Sequence, residues 1–159
     1  MAISGLVITY NEEKNIGKCI DALFEVCDEV IIVDSLSADN TVKIAEEKGA
    51  KVISQKFLGD GPQRTHGLPF CKNDWILNLD ADEFLDKDAK EFILKGKYLE
   101  GNYDAFSFRV KNFLADELID FSGWYPDHKV RFFNKKTAQP SPAKVHQKIE
   151  TTNEKKVAV

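Results

Sequence analysis

Three carboxylate side chains follow a short apolar run in the middle of the chain. The segment WILNLDADE occupies residues 75–83 and ends in Asp80, Asp82 and Glu83. A run of this length, interrupted by Asn78, is typical of a buried strand and is too short to span a membrane. Strand side chains repeat with a period of two, so Asp80 and Asp82 point to the same side of an extended chain. Because two neighbouring carboxylates repel each other unless a cation joins them, this spacing is compatible with a Mg²⁺ or Mn²⁺ site.

The same residues have a simpler interpretation. Acidic side chains favour the N-termini of helices, and the pattern of residues 86–95 predicts a helix directly after this segment. Asp80, Asp82 and Glu83 would then serve only as helix caps. The spacing alone leaves both interpretations open.

Polar residues also follow two earlier apolar runs. They are Thr9, Tyr10, Asn11, Glu12 and Asp34. The carboxyl ends of parallel strands meet at one edge of a sheet, so these groups can converge with Asp80 on one crevice. Tyr10 could stack on a flat ring, and Asp34 could accept hydrogen bonds from a base or a ribose; a strand-end aspartate is as often a cap or turn residue.

A cation and a late histidine could complete such a site. Arg64 ends the segment GDGPQR and could pair with a phosphate, although a lone arginine on a loop is more often only solvated. No glycine-rich phosphate loop of the GxGxxG or GxxxxGK[ST] type occurs. A bound diphosphate would therefore depend on a metal ion at Asp80 and Asp82, to which His146 could add a ligand; the alternative for His146 is a surface position.

Alternating strand and helix patterns position these groups. The first helix shows the 3.6-residue period, with Asn11 as its predicted cap, and Gly49 is typical of the end of the second helix. This alternation predicts right-handed βαβ units and a parallel sheet. The first three predicted strands are residues 3–9, 29–33 and 51–54.

The pattern changes near residue 100. Residues 103–110 alternate between apolar and polar side chains, as a half-buried antiparallel strand does. Further short strands are predicted at 118–121, 130–133 and 144–149. The expected fold class is therefore α/β, with a mostly parallel central sheet and additional antiparallel strands in the second half.

Composition limits the class of protein. The 159 residues fit a single domain, with 43% hydrophobic residues, 30% charged residues and a net charge of −4. This mild acidity argues against a nucleic-acid-binding surface. Cys19, Cys27 and Cys71 lack metal-ligand spacing, which favours buried free thiols in a reducing compartment. With no signal peptide or transmembrane pattern, we expect a cytoplasmic protein, with peripheral contact at the inner face of the cytoplasmic membrane left open.

Four motifs in order resemble the family 2 glycosyltransferases, which have the Rossmann-like GT-A fold. They are LVITYNEEKNIGKCIDAL, EVIIVDSLSADNTVKIAEEKGAKV, GDGPQR and WILNLDADE. Asp80-Ala81-Asp82 looks like the DxD motif of that superfamily, and residues 123–133 and 145–147 resemble bacterial lipopolysaccharide core β-1,4-glucosyltransferases. The resemblance covers nearly the whole chain. It implies one GT-A domain over 1–159, with a nucleotide-sugar-binding half (1–100) and an acceptor-side half (101–159).

The resemblance also implies roles and partners. Tyr10, Asn11, Glu12 and Asp34 would contact the nucleoside, most simply uridine, beside Thr9. Arg64 would lie near the nucleotide, Asp80 near the ribose and metal, and Asp82 on the metal. A divalent Mg²⁺ or Mn²⁺ ion would act as Lewis acid while a hexose, glucose from UDP-glucose, moves with inversion to an acceptor hydroxyl of a lipopolysaccharide or other cell-surface glycan. The oligomeric state does not follow from the resemblance.

Two departures from the family pattern affect this expectation. Gln147 stands where the subgroup has glutamate, and an amide cannot act as a general base at neutral pH. Asp127 is then the substitute candidate, followed by Glu83, and either could instead be structural. Relatives also continue well beyond the equivalent of Ile149, so the chain could be a truncated or minimal form. The alternative is therefore a nucleotide-sugar-binding protein with little turnover; a receiver domain using Asp34 as phosphoacceptor fits less well.

Overall fold

A computed structural model of the chain describes residues 2–101, 103–111, 113–114, 117–118, 127–145 and 148–151. The strands are β1 (Ile3–Thr9), β2 (Glu29–Asp34), β3 (Lys51–Ser54), β4 (Trp75–Asp80), β5 (Ala105–Val110), β6 (Phe113–Leu114), β7 (Glu117–Leu118), β8 (Asp127–Asn134), β9 (Ala138–Pro140) and β10 (Ile149–Thr151). The helices are α1 (Ile16–Phe24), α2 (Thr41–Glu47), α3 (Asp60–Gly67) and α4 (Lys87–Leu94), with 3₁₀ turns at Leu68–Phe70 and Lys97–Leu99.

Six strands form the central sheet in the order β3-β2-β1-β4-β8-β5. Strands β1 to β4 are parallel, whereas β8 runs antiparallel to both of its neighbours. The register pairs Thr9 with Asp34 and Ile8 with Asp80, so the carboxyl ends of β1, β2 and β4 meet at one edge. The predicted fold class, mostly parallel with antiparallel additions, is confirmed.

The core lies on both faces of this sheet, which explains why β1, β2 and β4 are almost continuously apolar. The inner face of α1 packs on one side: Ile16, Cys19, Ile20 and Leu23 are fully buried, as the helical period predicts. Leu6, Ile31, Val33, Ile76 and Phe133 form the core of the opposite face. All three cysteines are free and buried, as predicted, and burial raises the pKa of the Cys19 thiol to about 12. Within the described ranges, no helix has the length and apolarity needed to cross a bilayer.

Two local predictions were wrong. Asn11 does not cap the first helix, which begins at Ile16 after Asn15; its side-chain oxygen instead accepts a hydrogen bond from the Ala38 N–H at 2.8 Å. The strand predicted at 144–149 is placed differently, because ladder pairing in this region runs from Ile149 to Thr151 and Lys144 and Val145 form a bend. Of the strand predicted at 118–121, Leu118 ends β7 and residues 119–121 lie outside the described ranges.

Helix α4 is capped by a residue beyond the three carboxylates. Asp86 has extended backbone angles, and its Oδ1 accepts a hydrogen bond from the Ala89 N–H at 3.0 Å. This N-cap satisfies one of the free N–H groups of the first turn. Helix capping therefore does not account for Asp80, Asp82 and Glu83.

Replacing Asp86 with alanine is expected to lower the free energy of unfolding by about 1 kcal/mol at pH 7. The hydrogen bond from Ala89 holds the pKa of Asp86 below its ordinary value, so its contribution is present above the unfolded-state pKa of about 3.9 and is lost as the pH falls further. Urea unfolding at pH 7 and near pH 2.5 checks both effects, with Asp88→Ala in the same turn as control. An equal destabilisation at both pH values would contradict the assignment.

Candidate functional site

A cavity of about 410 Å³ opens at the edge where β1, β2 and β4 end. Its lining includes five residues singled out from the sequence: Thr9, Tyr10, Glu12, Asp80 and Asp82. Among the described residues, Ile8, Ser35, Phe57 and Ala81 also line it. The predicted convergence of strand-end residues on one crevice is confirmed for these positions.

Asn11 and Asp34 lie beside the cavity without contributing to its lining. The Asp34 side chain is almost fully buried, and its two oxygens accept hydrogen bonds from the backbone N–H and the hydroxyl of Ser37. The same Ser37 hydroxyl accepts a bond from the Asn11 N–H at 2.9 Å. A further bond joins the Glu12 N–H to the Thr41 hydroxyl at 2.7 Å. These bonds fasten the loop after β1 to the loop after β2 and so hold the cavity wall in place.

Two aromatic rings face solvent at the cavity. Tyr10 is 61% exposed and Phe57 is 53% exposed, although both line the cavity. Exposed aromatic rings beside carboxylates are typical of a site for a flat, polar ligand. Phe57 was missed by the sequence analysis because it lies in an irregular segment after β3, where no periodic pattern assigns it a position.

Asp80 lies between two buried arginines. Arg64 Nη2 donates to its Oδ1, and Arg131 Nη2 donates to its Oδ2 at 2.9 Å. The Arg64 side chain is 3% exposed and that of Arg131 is 7% exposed. Burial alone would raise the pKa of Asp80, but the charges of Arg64 and Arg131 outweigh it and hold that pKa below its usual value. Asp80 is therefore a carboxylate held in its ionised form.

Glycines explain how Arg64 reaches this position. Arg64 lies in α3 and is buried, so the alternative of a solvated arginine on a loop is wrong. A Cβ on Gly61 would lie 2.0 Å from the carbonyl oxygen of Ser141, and Gly59 has a φ of 108°. Only glycine allows the start of α3 to come this close to residues 141–144.

Glu83 folds back onto the end of β4. Its Oε2 accepts a hydrogen bond from the Asp80 N–H at 3.1 Å, and its Oε1 accepts one from Arg131 at 2.5 Å. The Glu83 N–H also donates to the Asp80 carbonyl at 3.0 Å, which closes a turn. Asp82 lies within this turn and is exposed, and within the described part of the chain its side chain makes no hydrogen bond or ion pair.

Arg131 is the second residue that the sequence analysis missed. It lies in the short pattern VRFF, where a charged residue in a strand is normally expected to face solvent. The sequence signals its importance only by placing an arginine between apolar residues. Its role depends on a contact with Asp80, 51 residues earlier on β4, which no local pattern encodes.

Asp127, His146 and Gln147, the other candidates from the sequence, are described only in part or not at all. The backbone of Asp127 begins β8 opposite Val110, and because β8 runs antiparallel to β4, this end lies at the same edge as the cavity. His146 and Gln147 lie outside the described residues. Among the residues that are described, no group of three or more His, Cys, Asp or Glu side chains is arranged to hold a metal.

Comparisons with known proteins point to one family. A sequence model of glycosyl transferase family 2 matches residues 4–149. A glycosyltransferase of Rickettsia felis is 48% identical over 91 residues, covering 57% of this chain and 32% of the relative. The lipopolysaccharide core biosynthesis glycosyltransferase LpsC of Rhizobium meliloti is 36% identical over 98 residues, covering 58% of this chain and 36% of LpsC. This chain thus matches about a third of the length of these relatives.

Solved structures show the same fold. Staphylococcus aureus TarS in complex with UDP-GlcNAc superposes with a TM-score of 0.59 at 28% identity, over 72% of this chain and 36% of that one. The glucosyl-3-phosphoglycerate synthase of Mycobacterium tuberculosis, in complex with Mn²⁺, UDP and glucosyl-3-phosphoglycerate, has a TM-score of 0.54 at 26% identity, over 66% of this chain and 42% of the synthase. Both of these solved proteins are longer than the present chain.

Proposed function

The chain belongs to glycosyl transferase family 2, and from this membership we propose that it transfers a hexose from a UDP-sugar to an acceptor hydroxyl, with a divalent metal ion. The observation that carries the proposal is the meeting of two exposed aromatic rings with Asp80 and Asp82 around one cavity. The UDP-GlcNAc complex of TarS and the UDP–Mn²⁺ complex of the mycobacterial synthase support the same donor chemistry.

The residues at the end of β4 fit a divalent cation. Asp82 is exposed to the cavity, and Asp80 keeps lone pairs beyond the hydrogen bonds it accepts from Arg64 and Arg131. Mg²⁺ and Mn²⁺ bind through one or two carboxylates together with substrate phosphate oxygens, so two carboxylates at the end of β4 suit a metal that arrives with a diphosphate. When bound, the ion would stabilise the negative charge that develops on the leaving diphosphate.

The aromatic rings would hold the nucleoside. Tyr10 and Phe57 offer flat apolar faces to a uracil ring, while Thr9 and Glu12 supply polar groups at the cavity wall. Asn11 and Asp34 would act chiefly by fixing the two loops that carry this wall. Arg64 is not among the described residues that line the cavity, and through its ion pair it would hold Asp80, which does line it, beside the nucleotide.

The general base remains a proposal from the sequence. Both oxygens of Glu83 already accept hydrogen bonds, from Arg131 and from the Asp80 N–H, which favours a structural role for this residue. We therefore favour Asp127, whose backbone lies at the same edge of the sheet as the cavity, as the group that takes the proton from the acceptor hydroxyl. If Asp127 does not supply this step, the protein binds the donor with little turnover, because the amide of Gln147 cannot act as a general base.

The similarity to LpsC supports an acceptor in lipopolysaccharide or another cell-surface glycan. The donor would enter at β1, β2 and β4, and the acceptor would approach from the side of β5 and β8. The expected division into a nucleotide-sugar-binding half (1–100) and an acceptor-side half (101–159) would place acceptor specificity on this side.

UDP together with Mn²⁺ is expected to raise the melting temperature of the protein. At a ligand concentration 100 times the dissociation constant, binding stabilises the folded state by about 2.7 kcal/mol, or roughly 5–10 °C for a domain of this size. Differential scanning fluorimetry with UDP, Mn²⁺, both, and ADP with Mn²⁺ separates the contributions. Asp21→Asn, an exposed aspartate on α1 outside the cavity lining, is the matched control for substitutions at the site. No shift with any nucleoside diphosphate would contradict the proposal.

A further inference from the structure

Strand β8 contains one residue more than its neighbour β5 requires. Phe132 pairs with Phe106, and Val130 pairs with the next residue of β5, Ser107. Arg131 is therefore the extra residue of a β-bulge. Bulges redirect a side chain relative to regular strand alternation and are frequent beside active sites. Here the bulge directs a long cationic side chain toward the end of β4.

The redirected guanidinium closes a ring of hydrogen bonds. Arg131 Nη2 donates to Asp80 Oδ2 at 2.9 Å and to Glu83 Oε1 at 2.5 Å. The second oxygen of Glu83 accepts from the Asp80 N–H at 3.1 Å. One buried cation thus holds both ends of the four-residue turn from Asp80 to Glu83.

This turn carries the proposed metal ligand. Asp82 lies between the two ends, so the direction of its side chain depends on how those ends are held. The turn concentrates three carboxylates within four residues, and without compensation their repulsion would favour a more open conformation. The single positive charge of Arg131 bridges two of them at a position with little solvent screening and leaves Asp82 facing the cavity.

We propose that Arg131 is a positioning residue: by bridging Asp80 and Glu83 it holds the turn that presents Asp82 to a metal–diphosphate ligand. This inference rests on the proposed function. It also means that a residue of the second half of the chain controls the metal affinity of the first half. A packing role alone would make a different prediction, namely a loss of stability without a specific change in metal binding.

Titration of Mn²⁺ at saturating UDP, followed by the electron paramagnetic resonance signal of free Mn²⁺, tests the proposal. Arg131→Met is expected to weaken Mn²⁺ binding about 10–100-fold, the usual effect of removing a group that orients a metal ligand. UDP binding in EDTA, measured by calorimetry, should change much less. Arg131→Lys should restore part of the affinity, because one ammonium can pair with a carboxylate but lacks the planar fork that bridges two.

Two further variants keep the outcome decisive. Glu83→Gln cuts the ring at its other end while the Arg131–Asp80 pair remains, so it should weaken Mn²⁺ binding in the same direction and decides the matter if Arg131→Met does not fold. Arg109→Met, an exposed arginine on β5, is the matched control. Failure of the wild-type protein to bind UDP with Mn²⁺ would refute the proposed function itself. Unchanged Mn²⁺ affinity in folded Arg131→Met or Glu83→Gln, beside a wild type that binds, would overturn the positioning role alone.

Discussion

Replacing Asp82 with asparagine is expected to lower the rate of UDP release from UDP-glucose about 10²–10³-fold at saturating Mn²⁺. A Lewis-acidic metal contributes several kcal/mol of charge stabilisation in the transition state, and each 1.36 kcal/mol is a factor of ten in rate. Asparagine keeps the size of the side chain but removes the charge that holds the cation. Release of UDP to water as acceptor can be measured with a coupled assay before the natural acceptor is known.

Two controls and two alternative outcomes define what this loss of rate would mean. Asp21→Asn should retain the wild-type rate, and UDP affinity in EDTA should be similar in Asp82→Asn and wild type, since the aromatic rings rather than the metal would hold the base. A wild-type rate with unchanged Mn²⁺ dependence in Asp82→Asn would remove Asp82 from the metal site. The wild-type protein could instead bind UDP tightly but cleave no UDP-glucose, even with glycan acceptors present. That result would favour a binding protein with little turnover.

The sequence predicted the fold and the cavity edge because both depend on local patterns. Apolar runs such as that of β4 define buried parallel strands, and the carboxyl ends of such strands must share an edge. The convergence of Tyr10, Asp80 and Asp82 on one cavity follows directly from this geometry. The same argument correctly grouped Thr9 and Glu12 with them.

The contacts that organise the site were not predictable in this way. The Arg64–Asp80 pair requires the close approach of α3 to residues 141–144, and the Arg131 contact requires a bulge in β8. Both depend on long-range packing, which leaves no periodic signal in the sequence. Asn11 was misassigned for the opposite reason: a local capping preference predicted a helix start, but the long-range bond to Ala38 determines its conformation.

Replacing Asp80 with asparagine is expected to destabilise the protein by about 3 kcal/mol. The same replacement at Asp82 is expected to have little effect on stability. Removing one partner of a buried ion pair costs roughly 3–5 kcal/mol, because the remaining charge stays buried without compensation. We expect a cost at the lower end of this energy range, because the Asp80 side chain is 36% exposed and Arg131 keeps Glu83 as a partner. Arg64 would be most affected, since it is 3% exposed and Asp80 is its ion-pair partner. The melting temperature should fall by roughly 6–12 °C.

Urea unfolding of a double-mutant cycle separates this structural role from metal binding. Arg64→Met added to Asp80→Asn removes the uncompensated charge, so the double variant should be less destabilised than the sum of the two single variants. Asp82→Asn is the matched control: with an exposed carboxylate that makes no ion pair among the described residues, its stability should lie within about 0.5 kcal/mol of the wild type. Equal stability of Asp80→Asn and Asp82→Asn in metal-free buffer would contradict this division. A large loss of stability in Asp80→Asn alone would show that the two aspartates of this motif have distinct roles. Asp80 would then hold the arginines in place, while Asp82 remains available to the cation.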